Sequence, residues 1–176
     1  MKNKFGLLKL GKNVTIYEYV KLINPKLISI GDCSMIDDFV LIHGGRDKGI
    51  TIGRYVHVAS FTSITGGGNT LIEDYVGIAS GVRLINGTNT YKEGKRMTAC
   101  LPLKYQGVMR GEIVIKKDAF IGSNTVVHPN VTIGEGAVVG SNSLVLKDIE
   151  PWSINVGSPC KKIGERPKVI TPDIKA

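Results

Sequence analysis

The sequence predicts an all-β chain wound as a parallel β-helix solenoid. Three observations carry this: a six-residue aliphatic repeat, interruptions that respect a longer period of eighteen, and a glycine-rich composition with few aromatics. From residue 115 an aliphatic side chain stands at every sixth position: Ile115, Ile121, Val127, Ile133, Val139 and Val145. Four residues after each of the first five comes a small or β-branched residue: Ala119, Thr125, Val131, Ala137 and Ser143. A period of six matches neither the 3.6 of a helix nor the 2 of an extended strand. It matches a short strand and a turn, repeated, with the aliphatic side chain inside and the small residue closing the corner. Three such units make one triangular coil, and coils stack about 4.8 Å apart.

The same register runs upstream through Leu10, Ile16 and Leu22, then Ile30, Ile36 and Ile42, then Ile52, Val58 and Ile64, then Ile72, Ile78 and Leu84. Counted in threes, every interruption follows a third unit. The excess is two residues after Leu22, four after Ile42, two after Ile64 and twenty-five after Leu84. All insertions therefore leave from one corner of the triangle, a face that solenoids often use for binding. The count gives six coils over residues 10–145, about 29 Å of solenoid at one strand spacing per coil. The expected organisation is a β-helix domain over residues 1–150, a projecting loop at 86–112, and a C-terminal extension at 151–176.

Composition agrees with a soluble globular chain: 42% of the 176 residues are hydrophobic and 22% charged. The 22 glycines, set against 6% aromatics, suit a chain that turns often around a narrow core. No apolar run approaches the roughly 20 residues that span a bilayer. The basic start is too short and interrupted in its apolar part for a signal peptide, so the cytoplasm is the expected compartment. Cys33, Cys100 and Cys160 are odd in number and lack metal-type spacing, which reads as free thiols. The net charge of +8 is unevenly placed. Residues 1–12 hold four Lys and no acid, and segments 86–112 and 161–176 each hold five bases against two acids. A nucleic-acid binder would show a continuous basic stripe. Local patches suit a small phosphorylated ligand, or simply solubility.

The [LIV]-G-x-x-x-x units and the closing Gly157-Ser-Pro-Cys-Lys-Lys-Ile163 resemble those of the hexapeptide-repeat acyltransferases, over about residues 10–165. Cys160 stands where the family usually has Ala. The stretch His57-Val-Ala-Ser-Phe-Thr-Ser-Ile-Thr-Gly-Gly-Gly68, followed by a long loop, is similar to members that acetylate sugars in surface-polysaccharide pathways. The resemblance implies a left-handed β-helix, a homotrimer, acetyl-CoA as acyl donor without a metal, and active sites between neighbouring subunits. Gly140, Ser141, Lys161, Lys162 and Arg166 are candidate coenzyme A contacts, the last three because their charge suits its phosphates. A solvated basic tail is the plain alternative for the last three. Trp152 can stack on adenine or pack over the open end of the solenoid.

Acyl transfer from a thioester needs a base for the acceptor proton and donors for the oxyanion; histidine is the usual base near neutral pH. There are three histidines. His57 precedes inward Val58, so alternation points it outward, and it is the first candidate base. Asp37 or Asp38 from the neighbouring coil can orient it. Without that chemistry it is an exposed or interface histidine. His43, at the corner where insertions leave, is the second candidate; its plain reading is a turn residue bonded to backbone. His128, in an uninterrupted coil, reads as a turn residue. Maltose- and galactoside-type members carry their catalytic histidine in the long loop. Here the loop begins Asn86-Gly-Thr-Asn-Thr-Tyr91 and has none. Asn86, Asn89 and Tyr91 are instead candidates to bind acceptor hydroxyls, or turn-forming loop residues. Gly67, within Gly66-Gly67-Gly68, allows close approach of a ligand to backbone, or a tight bulge.

Two other classes remain. A γ-type carbonic anhydrase needs three converging histidines, but about 70 residues, nearly four coils or about 19 Å, part His57 from His128. A non-catalytic trimeric scaffold is disfavoured by the outward His57, the long loop and the basic tail. The sequence leaves the acceptor sugar, and O- against N-acetylation, open.

Overall fold

The computed structural model describes residues 3–45, 47, 49–92 and 94–174. Short parallel strands stack into three sheets, the faces of a triangular prism. Each turn contributes one strand to each face. The third turn, for example, runs through Ile50–Ile52, His57–Val58 and Ser63–Thr65. Its strands pair in register with the turns on either side: His57 lies between Met35 and Gly77, and Val58 between Ile36 and Ile78.

The hexad side chains fill the prism. Ile30, Ile36, Ile42, Ile52, Ile64, Ile72, Ile78, Leu84, Ile115 and Ile121 are all buried, and Ile28, Ile50 and Ile113 add a second inward residue on the first face. Full burial of each aliphatic side chain contributes about 1.5–3 kcal/mol. The small residues four positions on, Ala119, Thr125, Ala137 and Ser143, are also buried, and no buried polar side-chain atom lacks a partner among the described residues.

Every insertion leaves between the third face and the first, as the eighteen-residue period requires. A 3-10 turn, Pro25–Leu27, fills the first gap. The largest insertion starts as an antiparallel hairpin, Gly87–Asn89 against Val108–Arg110.

The coil count is corrected upward. The chain makes six complete turns and enters a seventh: Ile149 bridges to Ile133, and Ser153–Val156 pairs with Val138–Val139. The segment from residue 151 therefore begins as solenoid, and only then folds back antiparallel as Lys161–Glu165. The hexad was lost there because the step from Val145 to Ile149 is four residues, two short of the repeat, and the third face is missing.

The corners demand left-handed backbone. Asn13, Cys33, Tyr55, Tyr75, Asp118 and Trp152 occupy one equivalent corner with φ between 54° and 62°. Aromatic residues in this conformation carry backbone strain. They recover contact by stacking: Tyr55 on Tyr75 at 5.2 Å, and, at the next corner, Tyr19 on Phe39 at 5.5 Å and Phe39 on Phe61 at 5.1 Å.

Candidate active site

His57 stands on the outer side of the second face, with 52% of its side chain exposed. Its Nε2 lies 3.1 Å from Oδ2 of Asp37, which follows inward Ile36 on the preceding turn. The carboxylate accepts from Nε2–H and so selects the tautomer in which Nδ1 keeps its lone pair. Beside His57 on the following turn is Gly77, over which the Phe120 ring lies, 3.0 Å from where a Cβ would sit. The histidine thus has a small neighbour on one side and an orienting acid on the other. The arrangement leaves Nδ1 facing away from the carboxylate, free to accept a proton.

His43 sits on the third face, with Nε2 3.4 Å from Nδ2 of Asn24. His128 follows Val127 on the third face three turns beyond. The three histidines do not converge, and no group of three metal-ligating side chains forms among the described residues. His43 and His57 occupy different faces, so within one protomer they do not share a site.

Asn86 is corrected from an acceptor contact to an internal brace. It is fully buried. Its Oδ1 accepts from the Gly68 amide at 3.0 Å, and its Nδ2 donates to the Thr70 hydroxyl at 3.1 Å. Its burial keeps the amide out of a ligand's reach. Asn89 ends the first strand of the loop hairpin, and Tyr91 beyond it is 75% exposed. Gly66-Gly67-Gly68 allows close backbone approach, toward the base of the loop. Gly66 has φ 123°, and a Cβ there would collide with the Gly87 backbone. A Cβ at Gly68 would strike the Asn86 and Gly111 carbonyls.

The coenzyme A candidates separate into two groups. Ser141 and Lys161 are exposed on the second-face edge and its end, whereas the backbone polar groups of Gly140 are engaged within the solenoid. The Gly140 amide donates to Asn155, and its carbonyl accepts from Thr125 and Ser143. Lys161 and Lys162 line a cleft of about 500 Å³ with Leu146, Pro159 and Cys160. Lys162 is held between Glu150 at 2.9 Å and Glu165 at 3.2 Å, and hydrogen bonds to the two carboxylates raise its pKa above the ordinary lysine value. Burial pushes the Cys160 thiol up. Arg166 is corrected to a clamp. Its guanidinium donates to the carbonyls of Asp118, at 2.7 Å, and Gly136, at 3.2 Å, and packs on Trp152. Trp152 closes a corner of the seventh turn, its ring over Gly136.

One feature of the edge escaped the sequence reading. Immediately after the inward aliphatic residue of the second face come Ala59, Ala79, Gly122 and Gly140 on four successive turns, and after them Ser60, Ser80, Ser123 and Ser141. The signal was a fixed offset from the hexad. It lay hidden because the loop separates the second and third of these turns in sequence.

The bacterial transferase hexapeptide model (six repeats) matches residues 112–147. Over 165 residues, 94% of this chain and 85% of its relative, the sequence is 35% identical to a dTDP-4-amino-4,6-dideoxy-D-glucose acyltransferase of Escherichia coli. AntD, an N-acyltransferase from Bacillus cereus crystallised with dTDP and 3-hydroxybutyryl-CoA, matches with a TM-score of 0.88 at 36% identity, over 93% of this chain and 86% of that one. An AntD variant in complex with dTDP-4-amino-4,6-dideoxyglucose and coenzyme A matches with a TM-score of 0.87 at 36% identity, over 94% and 87%. With its six-residue repeat, its stacked triangular turns and full-length similarity to enzymes that move acyl groups, the chain belongs to the hexapeptide-repeat acyltransferase family.

Proposed function

We propose that the protein transfers the acyl group of acetyl-CoA to the amine of a nucleotide-linked amino sugar. The observation that carries this reading is the similarity running the whole length of the chain, long loop included, to the E. coli dTDP-amino-sugar acyltransferase and to AntD. It favours an amine over a hydroxyl acceptor.

The amine nitrogen attacks the thioester carbonyl, the tetrahedral oxyanion is stabilised by a backbone N–H, and collapse expels the coenzyme A thiolate. His57, oriented by Asp37, takes the proton from the attacking nitrogen through Nδ1 and returns it to the thiolate. The slim pantetheine arm fits the edge of small residues. From Ala59 on the third turn to Gly140 on the sixth is three strand spacings, about 14 Å. That edge ends near Lys161, whose charge complements the phosphates of the nucleotide. Asn89 and Tyr91 reach the acceptor from the loop of a neighbouring subunit in a homotrimer, and Gly67 lies at that loop's base. The compartment we assign is the cytoplasm, and the pathway is that of a surface polysaccharide.

The test is an acceptor and donor panel with thiol release as readout. A dTDP-linked 4-amino sugar should turn over at least a hundred times faster than its 4-hydroxyl counterpart. Acetyl-CoA and 3-hydroxybutyryl-CoA are compared as donors. Equal rates on amine and hydroxyl, or none on either, would reject the acceptor class. Light scattering should give a trimer; a stable 19 kDa monomer at micromolar concentration would contradict the composite site.

A further inference from the structure

A second polar cleft, of about 470 Å³, opens at the base of the loop, lined by Asp47, Gly67, Gly68, Asn69, Arg110 and Glu112 among others. Arg110 ends the returning strand of the loop hairpin and is exposed. Two glycines make room for its side chain. A Cβ at Gly67 would stand 3.1 Å from its Nε and 3.7 Å from its Cδ, and one at Gly87 would stand 3.2 Å from its Cγ. Gly67 takes φ 80°, a region that disfavours any other residue. The arginine stem is thus laid against backbone, while its guanidinium makes no ion pair or hydrogen bond with a described residue. Several other cations on this solenoid are matched by acids: Arg54 by Asp74, Lys116 by Glu73, Lys117 by Asp173. The amides of Gly66 and Gly67 also donate to no described residue, and Gly67 lines the cleft.

A guanidinium held in place without a partner is a fork for a bidentate oxyanion, phosphate above all. Asp47 and Glu112 line the same cleft, so an anion there sits on the side of Arg110 and the glycine amides. We infer that Arg110 anchors the diphosphate of the nucleotide-linked acceptor, a role that rests on the acceptor class proposed above. The loop then has a task beyond contact with the sugar: it carries the charge that distinguishes a nucleotide-linked sugar from a free one.

Calorimetric titration of the full chain with dTDP, thymidine and coenzyme A tests this on the wild type, Arg110→Gln and Arg110→Lys. Arg110→Gln should lose at least tenfold in dTDP affinity, and Arg110→Lys less. Coenzyme A affinity, which also reports an intact fold, should stay within twofold, as should any binding of thymidine. In steady state the KM for the nucleotide sugar should rise while kcat holds within about threefold. A wild type that binds dTDP and an Arg110→Gln protein that binds it equally well would overturn the role of Arg110. A wild type that binds no dTDP would overturn the acceptor class, and the anchor with it.

Discussion

His57 Nε2 and Asp37 Oδ2 lie 3.1 Å apart although the two residues are twenty positions distant in sequence. The solenoid makes this pair: one turn back on the same face puts Asp37 beside His57, and the bond fixes which ring nitrogen stays basic. Asp37→Asn should therefore lower kcat, by about tenfold, or 1.4 kcal/mol. His57→Asn should cost far more. A rate unchanged in Asp37→Asn would show that the carboxylate does not orient the base.

Asn86 has a structural task that can be separated from catalysis. Asn86→Ala leaves the Gly68 amide and the Thr70 hydroxyl without partners inside the coil, at a cost of about 1–3 kcal/mol. For a chain of this length that lowers Tm by several degrees, at about 2–4 °C per kcal/mol. Differential scanning calorimetry checks it. A Tm within one degree of wild type would restore Asn86 as a candidate ligand contact.

Backbone crowding at the base of the loop makes a sharper prediction. Gly66→Ala puts a methyl group into the Gly87 backbone at a φ that only glycine takes readily. It should destabilise more than Asn86→Ala, and hydrogen exchange should rise first in the hairpin of Gly87–Asn89 and Val108–Arg110. Unchanged exchange there would mean the loop base tolerates a shift.

The cysteines should differ in reactivity. Cys100 is exposed in the loop, whereas the Cys160 thiol is pushed up by burial and so holds less of the nucleophilic thiolate. Alkylation followed by mass spectrometry at pH 8 should label Cys100 well before Cys160. The reverse order would place Cys160 in a more open, more polar environment than the cleft beside Pro159 provides.

The fold was legible because one residue in six must point inward. Ile115 through Val145 declare it without interruption, and the corner from which all insertions leave followed from arithmetic on Leu22, Ile42, Ile64 and Leu84. The seventh turn was not, because Ile149 and Ser153–Val156 carry the fold forward off the hexad. The outward direction of His57, and an aspartate behind it, came from alternation and coil length. The inward direction of Asn86 did not, since a polar residue at the start of a loop gives no sign that it braces the preceding turn. Arg166 misled for a related reason. Its charge suggested a phosphate partner, but its guanidinium meets the Asp118 and Gly136 carbonyls, left open to it by two left-handed corners.

The most direct test of the account is the turnover of His57→Asn with a nucleotide-linked 4-amino sugar and acetyl-CoA, measured beside its coenzyme A affinity. Loss of a general base costs about 10²–10⁴ in rate. The account predicts a fall in kcat in that range with coenzyme A affinity nearly intact, because the base meets the acceptor and not the nucleotide. A His57→Asn enzyme that keeps more than about a third of the wild-type kcat would contradict it, and would leave the amine to attack without help from this side chain.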